Sequence, residues 1–291
     1  MQSFFLPFHS SRIHYLLGGT GDKLLCGFHG YGESAESWAF LEGALGEDYT
    51  ILAIDLPFHG RTDWKEELYF DPETLISLIG QITAGLPGGE AKGWRPDGGQ
   101  SGSSHPGDKT GWWLMGYSMG GRIALSLLEK MPQKVQKLVL LAPDGLKVNG
   151  WYWLATQTGL GNRFFRWTIR QPGWLFFLLR LGNALKLVNR SVYKFTAHYI
   201  GDAFAREQLY ARWTTMRGFR PNIRKIQALI REKEIPIRLL YGQHDRIIRP
   251  ERGEKFRKGG IEAYCRLMLV PMGHQLLQAR NGETILSLLK D

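Results

Sequence analysis

The sequence predicts an α/β fold, a mostly parallel β-sheet covered by helices on both faces, with a helical insertion in the second half of the chain. Three observations predict it. Short apolar runs rich in Val, Ile and Leu alternate with segments of helical length at both ends of the chain. A glycine-flanked turn, GYSMGG at 116–121, sits where one apolar run ends and a helix-like segment begins. Residues 146–235 break the alternation without offering a clear strand.

In chain order, residues 3–17 (SFFLPFHSSRIHYLL) read as a β-hairpin. KLLCGF (23–28), TILAIDL (50–56), GWWLMGYS (111–118), VQKLVLLAP (135–143), PIRLLYG (236–242) and AYCRLMLVP (263–271) read as core strands. Helices fit between them at 37–45, 72–86, 120–131, 249–258 and 282–290. Residues 87–110 are crowded with Gly, Pro, Ser and Asp, which reads as a mobile surface loop because such a segment buries too little apolar area to offset its ordering entropy. The expected organisation is therefore a core of 1–145 and 236–291, carrying that loop, and a helical cap or lid at 146–235.

A length of 291 residues suits one large core with an insertion. With 43% hydrophobic and 22% charged residues, the composition is that of a globular chain and excludes disorder. The only two cysteines, Cys26 and Cys265, lie in apolar runs, so buried free thiols are expected rather than a disulfide framework, which suits a reducing cytoplasm. MQSFFLPFHS has no basic leader, and Pro7 and His9 cut its apolar stretch, so no secretory signal is expected. The run from Trp174 to Leu179 stops at Arg180, well short of the roughly 20 residues that span a bilayer.

The chemistry-bearing signal is GYSMGG. A strand before it and a helix after it are the context of a nucleophile elbow, with Ser118 on a strained turn and Gly116 and Gly120 where side chains would collide. A serine hydroxyl needs a general base, and the chain order nucleophile, acid, base directs the search downstream. His274, in PMGHQ, is the only histidine beyond residue 244 and follows the last strand. Asp245, in YGQHDRII, follows the strand before it and is placed to orient the imidazole. Asp144 competes for that role from a neighbouring strand end, and Asp245 is preferred from its place in the order. Acyl transfer also needs backbone donors for an oxyanion; the N–H groups of Met119 and of Tyr31, in the loop after KLLCGF, are the candidates. His29 reads as a residue that holds this loop, and His244 as a turn residue.

HGYGESAESW, DLPFHGRTD, GYSMGGRIAL, YGQHDRII and PMGH, in this order, resemble the motifs of the α/β-hydrolase superfamily, in its serine-nucleophile branch with a helical cap. The resemblance covers nearly all of the chain outside the cap and the 87–110 loop. It implies an α/β-hydrolase fold with an eight-stranded, mostly parallel sheet and a variable lid. It also implies a catalytic triad of Ser118, Asp245 and His274, with Tyr31 and Met119 as the oxyanion hole. Members with an aspartate nucleophile, the haloalkane dehalogenases and epoxide hydrolases, are disfavoured by Ser118. GYSMGGR also looks like the elbow of the menaquinone-pathway synthases, which keeps open a triad-using lyase or C–C bond hydrolase acting on an anionic substrate. The leading expectation is a serine hydrolase of the carboxylesterase type, cleaving a carboxylic ester or thioester; a non-catalytic binding protein on the same fold is the third reading.

The region 146–235 carries 16 Lys and Arg against 4 Asp and Glu, whereas the whole chain is only +10, so the basic charge is concentrated there. That distribution fits peripheral contact with a membrane or with an anionic substrate through the cap, against the equally weighted reading of a solvated basic helix face. Arg180, Asn183, Lys186 and Arg190 recur at spacings of three, three and four, which makes an amphipathic helix with a basic stripe, read first as a lid helix packed on the core. Trp151, Tyr152, Trp153, Phe164, Phe165 and Trp167 are expected to make an apolar pocket roof, favouring an apolar acyl or aromatic group. No zinc, P-loop or dinucleotide motif occurs, so a small-molecule substrate is expected, with no cofactor, metal or nucleic acid. The sequence leaves the oligomeric state open.

Overall fold

The structure, a computed structural model, describes residues 1–86, 111–147, 149–184 and 201–290. The 87–110 loop expected from composition lies outside the described residues. Eight strands form one sheet: β1 (Gln2–Phe8), β2 (Ser11–Gly18), β3 (Lys23–Phe28), β4 (Tyr49–Ile54), β5 (Trp112–Tyr117), β6 (Val135–Leu141), β7 (Ile237–Gly242) and β8 (Cys265–Val270). Their spatial order is β1-β2-β4-β3-β5-β6-β7-β8. β1 and β2 form an antiparallel hairpin, and β2 runs antiparallel to β4. Every pairing from β3 onward is parallel.

Burial explains why the central strands read as continuous apolar runs. Every residue of β4 and of β7 is buried, because helices cover both faces of a parallel sheet. Helices α1 (Glu42–Leu45), α2 (Pro72–Ala84) and α3 (Met119–Lys130) belong to this body. Asp71 begins α2 by accepting from Thr74 N–H at 2.8 Å, with Pro72 at the first helical position where its missing N–H costs nothing. α3 is buried from Met119 through Leu128, so its sequence shows no sustained polar face. Cys26 and Cys265 are buried free thiols, and burial pushes both well above the usual thiol range.

The chain divides into two compact units, Met1–Glu66 with Asp71–Lys147 and Phe219–Asp291, and Glu67–Phe70 with Val148–Gly218. The second unit is helical where described: α4 (Gly150–Gln157), α5 (Gly159–Arg170), α6 (Gly173–Ala184) and α7 (Ala203–Thr215). Thr158 caps α5 through Gly161 N–H, and Asn162 joins α5 to α7 by donating to Thr214 Oγ1 and accepting from the Tyr210 hydroxyl. The Phe165 ring packs against those of Tyr210 and Trp213.

One boundary differs from the insertion of 146–235 expected from the sequence. α8 (Ile223–Lys233) belongs to the first unit. Its Ile226 and Ile230, one turn apart, are fully buried, Gln227 donates to the Phe256 carbonyl, and Asn222 N–H just before it donates to Glu129. It is the crossover helix that a parallel step from β6 to β7 requires. The remaining helices, α9 (Pro250–Arg257) and α10 (Gly282–Lys290), complete that unit. The second unit remains basic without α8, with ten Lys and Arg against three Asp and Glu. The stripe read over 174–190 is described only as far as Ala184. No described helix is long and apolar enough to cross a membrane.

Candidate active site

The site is assembled at the carboxyl ends of the strands, where β5 delivers Ser118, β7 delivers Asp245 and β8 delivers His274. Ser118 is the N-cap of α3 and adopts φ 50°, ψ −113°. That backbone is unfavourable for an L-residue, by roughly 1–3 kcal/mol, and persists only because its surroundings impose it. Ser118 N–H donates to the Leu141 carbonyl at 3.0 Å, and the Ser118 carbonyl accepts from Gly121 and Asp144 N–H at 3.0 and 2.8 Å. The turn is thus tied to the ends of β6 and α3. Glycine is required on either side: a Cβ at Gly116 would overlap the Gly120 carbonyl, and one at Gly120 would overlap the Phe28 carbonyl.

His274 Nε2 lies 3.0 Å from Ser118 Oγ, and its Nδ1 lies 2.7 Å from Asp245 Oδ2. The Asp245 side chain is fully buried, and its other oxygen accepts from Ile247 and Ile248 N–H at 2.8 and 2.9 Å. The carboxylate is therefore locked by the turn after β7. A carboxylate at Nδ1 requires that nitrogen to carry the proton, which leaves Nε2 of the neutral ring as an acceptor for the serine hydroxyl. Asp144 does not join this chain. Its carboxylate sits 3.7 Å from Arg122 Nε, and only its backbone N–H meets Ser118.

Met119 N–H is the first of α3, where an α-helix provides no intrahelical acceptor. The loop after β3 runs along that same turn, because the Phe28 and His29 carbonyls face Gly120 and Gly30 lies against the Tyr117 ring. Tyr31 is in this loop, within a turn closed by Glu33 N–H on the Gly30 carbonyl. His29 holds the loop: its Nδ1 donates to the Gly30 carbonyl at 2.8 Å and its Nε2 accepts from Leu56 N–H at 3.2 Å. His244 is an exposed turn residue whose N–H donates to the Met272 carbonyl.

Two neighbours were not singled out from the sequence. The Tyr117 hydroxyl donates to the His274 carbonyl at 3.0 Å, and the two rings lie 5.4 Å apart. Burial pushes this phenol well above its usual range, so it stays a donor. Glu33 accepts from Gly30 N–H at 3.2 Å. Burial pushes its carboxyl above the usual carboxylate range, with the Gly30 N–H, the His274 imidazole and the Ser37 hydroxyl pulling it back. A tyrosine before the elbow serine and an acid in a glycine-rich loop carry no periodicity, so only the fold shows that the first packs on His274 and the second feels its charge.

A second Ser–His–Asp contact lies elsewhere, between Ser3, His14 and Asp55. His14 Nε2 is 2.9 Å from Ser3 Oγ and its Nδ1 is 2.6 Å from Asp55 Oδ2. Asp55 also accepts from Ala35 and Arg61 N–H at 2.6 and 2.7 Å, so it pins the loop after β4. Ser3 is in a strand, whereas Ser118 has both the strained turn and the helix N-terminus.

The aromatic residues expected in a pocket roof divide. Tyr152 and Phe165 pack on Trp213 inside the second unit, while Trp151, Trp153, Phe164 and Trp167 are exposed.

The model of the alpha/beta hydrolase family matches residues 24–285. Among curated proteins, the chain is 28% identical over 134 residues to the dihydrolipoyllysine-residue acetyltransferase component of the acetoin cleaving system of Cupriavidus necator, covering 46% of this chain and 30% of that protein. It is also 28% identical over 124 residues to pimeloyl-[acyl-carrier protein] methyl ester esterase of Salmonella newport, covering 43% of this chain and 38% of that one. The chain thus spans well under half the length of these curated relatives. Among solved structures it is similar to the thioesterase domain from the curacin biosynthetic pathway, with a TM-score of 0.61, 17% identity and 99% of each chain covered. It is similar as well to a thermophilic esterase from Thermogutta terrifontis, with a TM-score of 0.63, 16% identity, and 100% of this chain and 97% of that one covered. The family match across most of the chain, on the eight-stranded sheet described above, establishes that this protein belongs to the α/β-hydrolase family of enzymes.

Proposed function

We propose that this enzyme is a serine hydrolase that cleaves a carboxylic ester or thioester through an acyl-enzyme formed on Ser118. The observation that carries the proposal is the continuous contact from Asp245 Oδ2 to His274 Nδ1 and from His274 Nε2 to Ser118 Oγ, at 2.7 and 3.0 Å, on a strained turn at a helix N-terminus. In this reading His274 takes the Ser118 proton as Oγ attacks the substrate carbonyl carbon. Asp245 holds the imidazole in the competent tautomer and stabilises the imidazolium. The Met119 and Tyr31 N–H groups stabilise the oxyanion. His274 then protonates the departing alcohol or thiol, and water, activated by the same imidazole, releases the acid.

The ester and thioester class is supported by what the similar proteins are named for, a methyl ester esterase and a thioesterase domain. The test is labelling with a fluorophosphonate, beside Ser118→Ala and His274→Ala, followed by hydrolysis of p-nitrophenyl esters of increasing chain length. The proposal expects wild-type labelling that both variants lose, and turnover with an optimum that reports the acyl group. Turnover of a carbon acid or diketone with negligible ester hydrolysis would replace it with the lyase reading.

A further inference from the structure

The second unit carries an apolar face that its own packing does not use. On α5, Leu160, Phe164 and Trp167 follow the spacing i, i+4, i+7 and form one stripe, and they are 79%, 54% and 48% exposed. The opposite side of the same helix holds the buried Ile169 and the Phe165 ring that packs on α7. α5 therefore has two apolar faces, one consumed within the unit and one left in solvent. α6 extends the exposed face, with Phe177 and Leu181 at 66% and 45% exposure. The two helices are continuous there, because the Trp174 ring lies 5.4 Å from that of Phe164 and 5.9 Å from that of Trp167.

Charge identifies what fits this face. Arg163, Arg166 and Arg170 run beside the stripe at i, i+3 and i+7, and all three are exposed. Among the described residues, no carboxylate forms an ion pair with any of them. From Gly150 to Ala184 the chain has four arginines and no Asp or Glu. A second copy related by a two-fold axis would set arginine against arginine across such a face. A nucleic-acid backbone would satisfy the arginines and leave Leu160 and Phe164 in water. An anionic bilayer satisfies both, since aromatic and aliphatic side chains enter the boundary between headgroups and acyl chains while guanidinium groups meet phosphates.

We propose that α5 and α6 dock this protein on an anionic lipid surface, with α5 lying in the headgroup plane. The test is co-sedimentation of the full chain with vesicles of phosphatidylcholine, alone or with about one third phosphatidylglycerol, at low and raised salt. Binding is read without turnover, so it stands apart from the proposed chemistry. The expected result is binding to the anionic vesicles that salt weakens, with little binding to the neutral ones. Arg163→Gln, Arg166→Gln and Arg170→Gln together should weaken it by roughly fivefold per arginine, about 100-fold in all. Phe164→Ala with Trp167→Ala should weaken it with the arginines intact. Circular dichroism of both variants should match the wild type, because none of the replaced side chains is buried. Absence of wild-type binding to anionic vesicles, equal binding to neutral ones, or wild-type affinity in the arginine variant would overturn the proposal. A concentration-dependent dimer that the Phe164 and Trp167 variant abolishes, with no vesicle binding, would assign the face to a second copy and overturn it as well.

Discussion

Replacing Asp245 with asparagine tests the site more sharply than deleting any group, because the amide keeps the shape and reverses one hydrogen bond. Asp245 Oδ1 accepts from Ile247 and Ile248 N–H, and Oδ2 accepts from His274 Nδ1. The amide of the Asp245→Asn variant has two orientations. Turning its NH2 toward the two backbone donors would leave both N–H groups without an acceptor, at about 1–3 kcal/mol for the buried Ile248 N–H and less for the partly buried Ile247 N–H. The oxygen therefore stays with the backbone and the NH2 faces His274. Nδ1 must then accept, the ring proton moves to Nε2, and Nε2 can no longer take the Ser118 proton at 3.0 Å. The loss expected from the wrong tautomer is about 10⁴ in kcat, or roughly 5.4 kcal/mol of transition-state stabilisation. The assay is kcat/KM on a short p-nitrophenyl ester, with circular dichroism to show a folded protein. Asp144→Asn is the control. Its carboxylate is 35% exposed and 3.7 Å from Arg122, an ion pair worth at most about 1 kcal/mol, so activity should stay within about tenfold. An active Asp245→Asn beside an Asp144→Asn reduced by about 10⁴ would refute the assignment of the acid.

Glu33→Gln should act through charge. Burial raises the folded pKa of Glu33, so the protonated form is favoured by folding. Its stabilising share is present below the ordinary carboxylate pKa and is lost as pH rises through the raised value. The uncharged amide should therefore flatten the pH dependence of stability within that window, as read by thermal melts across pH. A pH dependence of stability that is the same in the variant and the wild type would contradict the burial assigned to Glu33. Gly120→Ala should destabilise the fold by about 3 kcal/mol or more, because its Cβ would overlap the backbone carbonyl of Phe28, which cannot swing aside. A melting temperature within a degree of wild type would show that β3 and α3 are not in such close approach.

The elements that were legible in the sequence are those set by local pattern. Continuous apolar runs such as TILAIDL mark strands buried on both faces, and glycines around Ser118 mark a backbone approach that leaves no room for a Cβ. Chain order was enough to nominate His274 and Asp245. Order prefers Asp245 and keeps Asp144 as a competitor, since both follow strands that neighbour each other, β6 and β7. The structure separates them by their partners, the Arg122 guanidinium for one and the imidazole for the other. The assignment of α8 was hidden for a related reason. Its basic residues match the composition of the insertion, whereas the burial of Ile226 and Ile230 against the first unit depends on contacts remote in sequence. Tyr117 meets His274 from 157 residues away, and Glu33 feels its charge from the loop after β3, separations that no local pattern encodes. Phe164 and Trp167 of the exposed stripe on α5 read from sequence as part of an apolar pocket roof, because periodicity locates apolar residues without saying which side is covered.

The most direct test of the account is the position of a single covalent adduct. The wild-type protein is treated with a fluorophosphonate, its intact mass is recorded, and the modified peptide is sequenced by tandem mass spectrometry. One adduct on Ser118, absent from Ser118→Ala and from His274→Ala, is the result the account predicts. An adduct on Ser3, whose hydroxyl also meets an imidazole, or full labelling of folded Ser118→Ala, would contradict it.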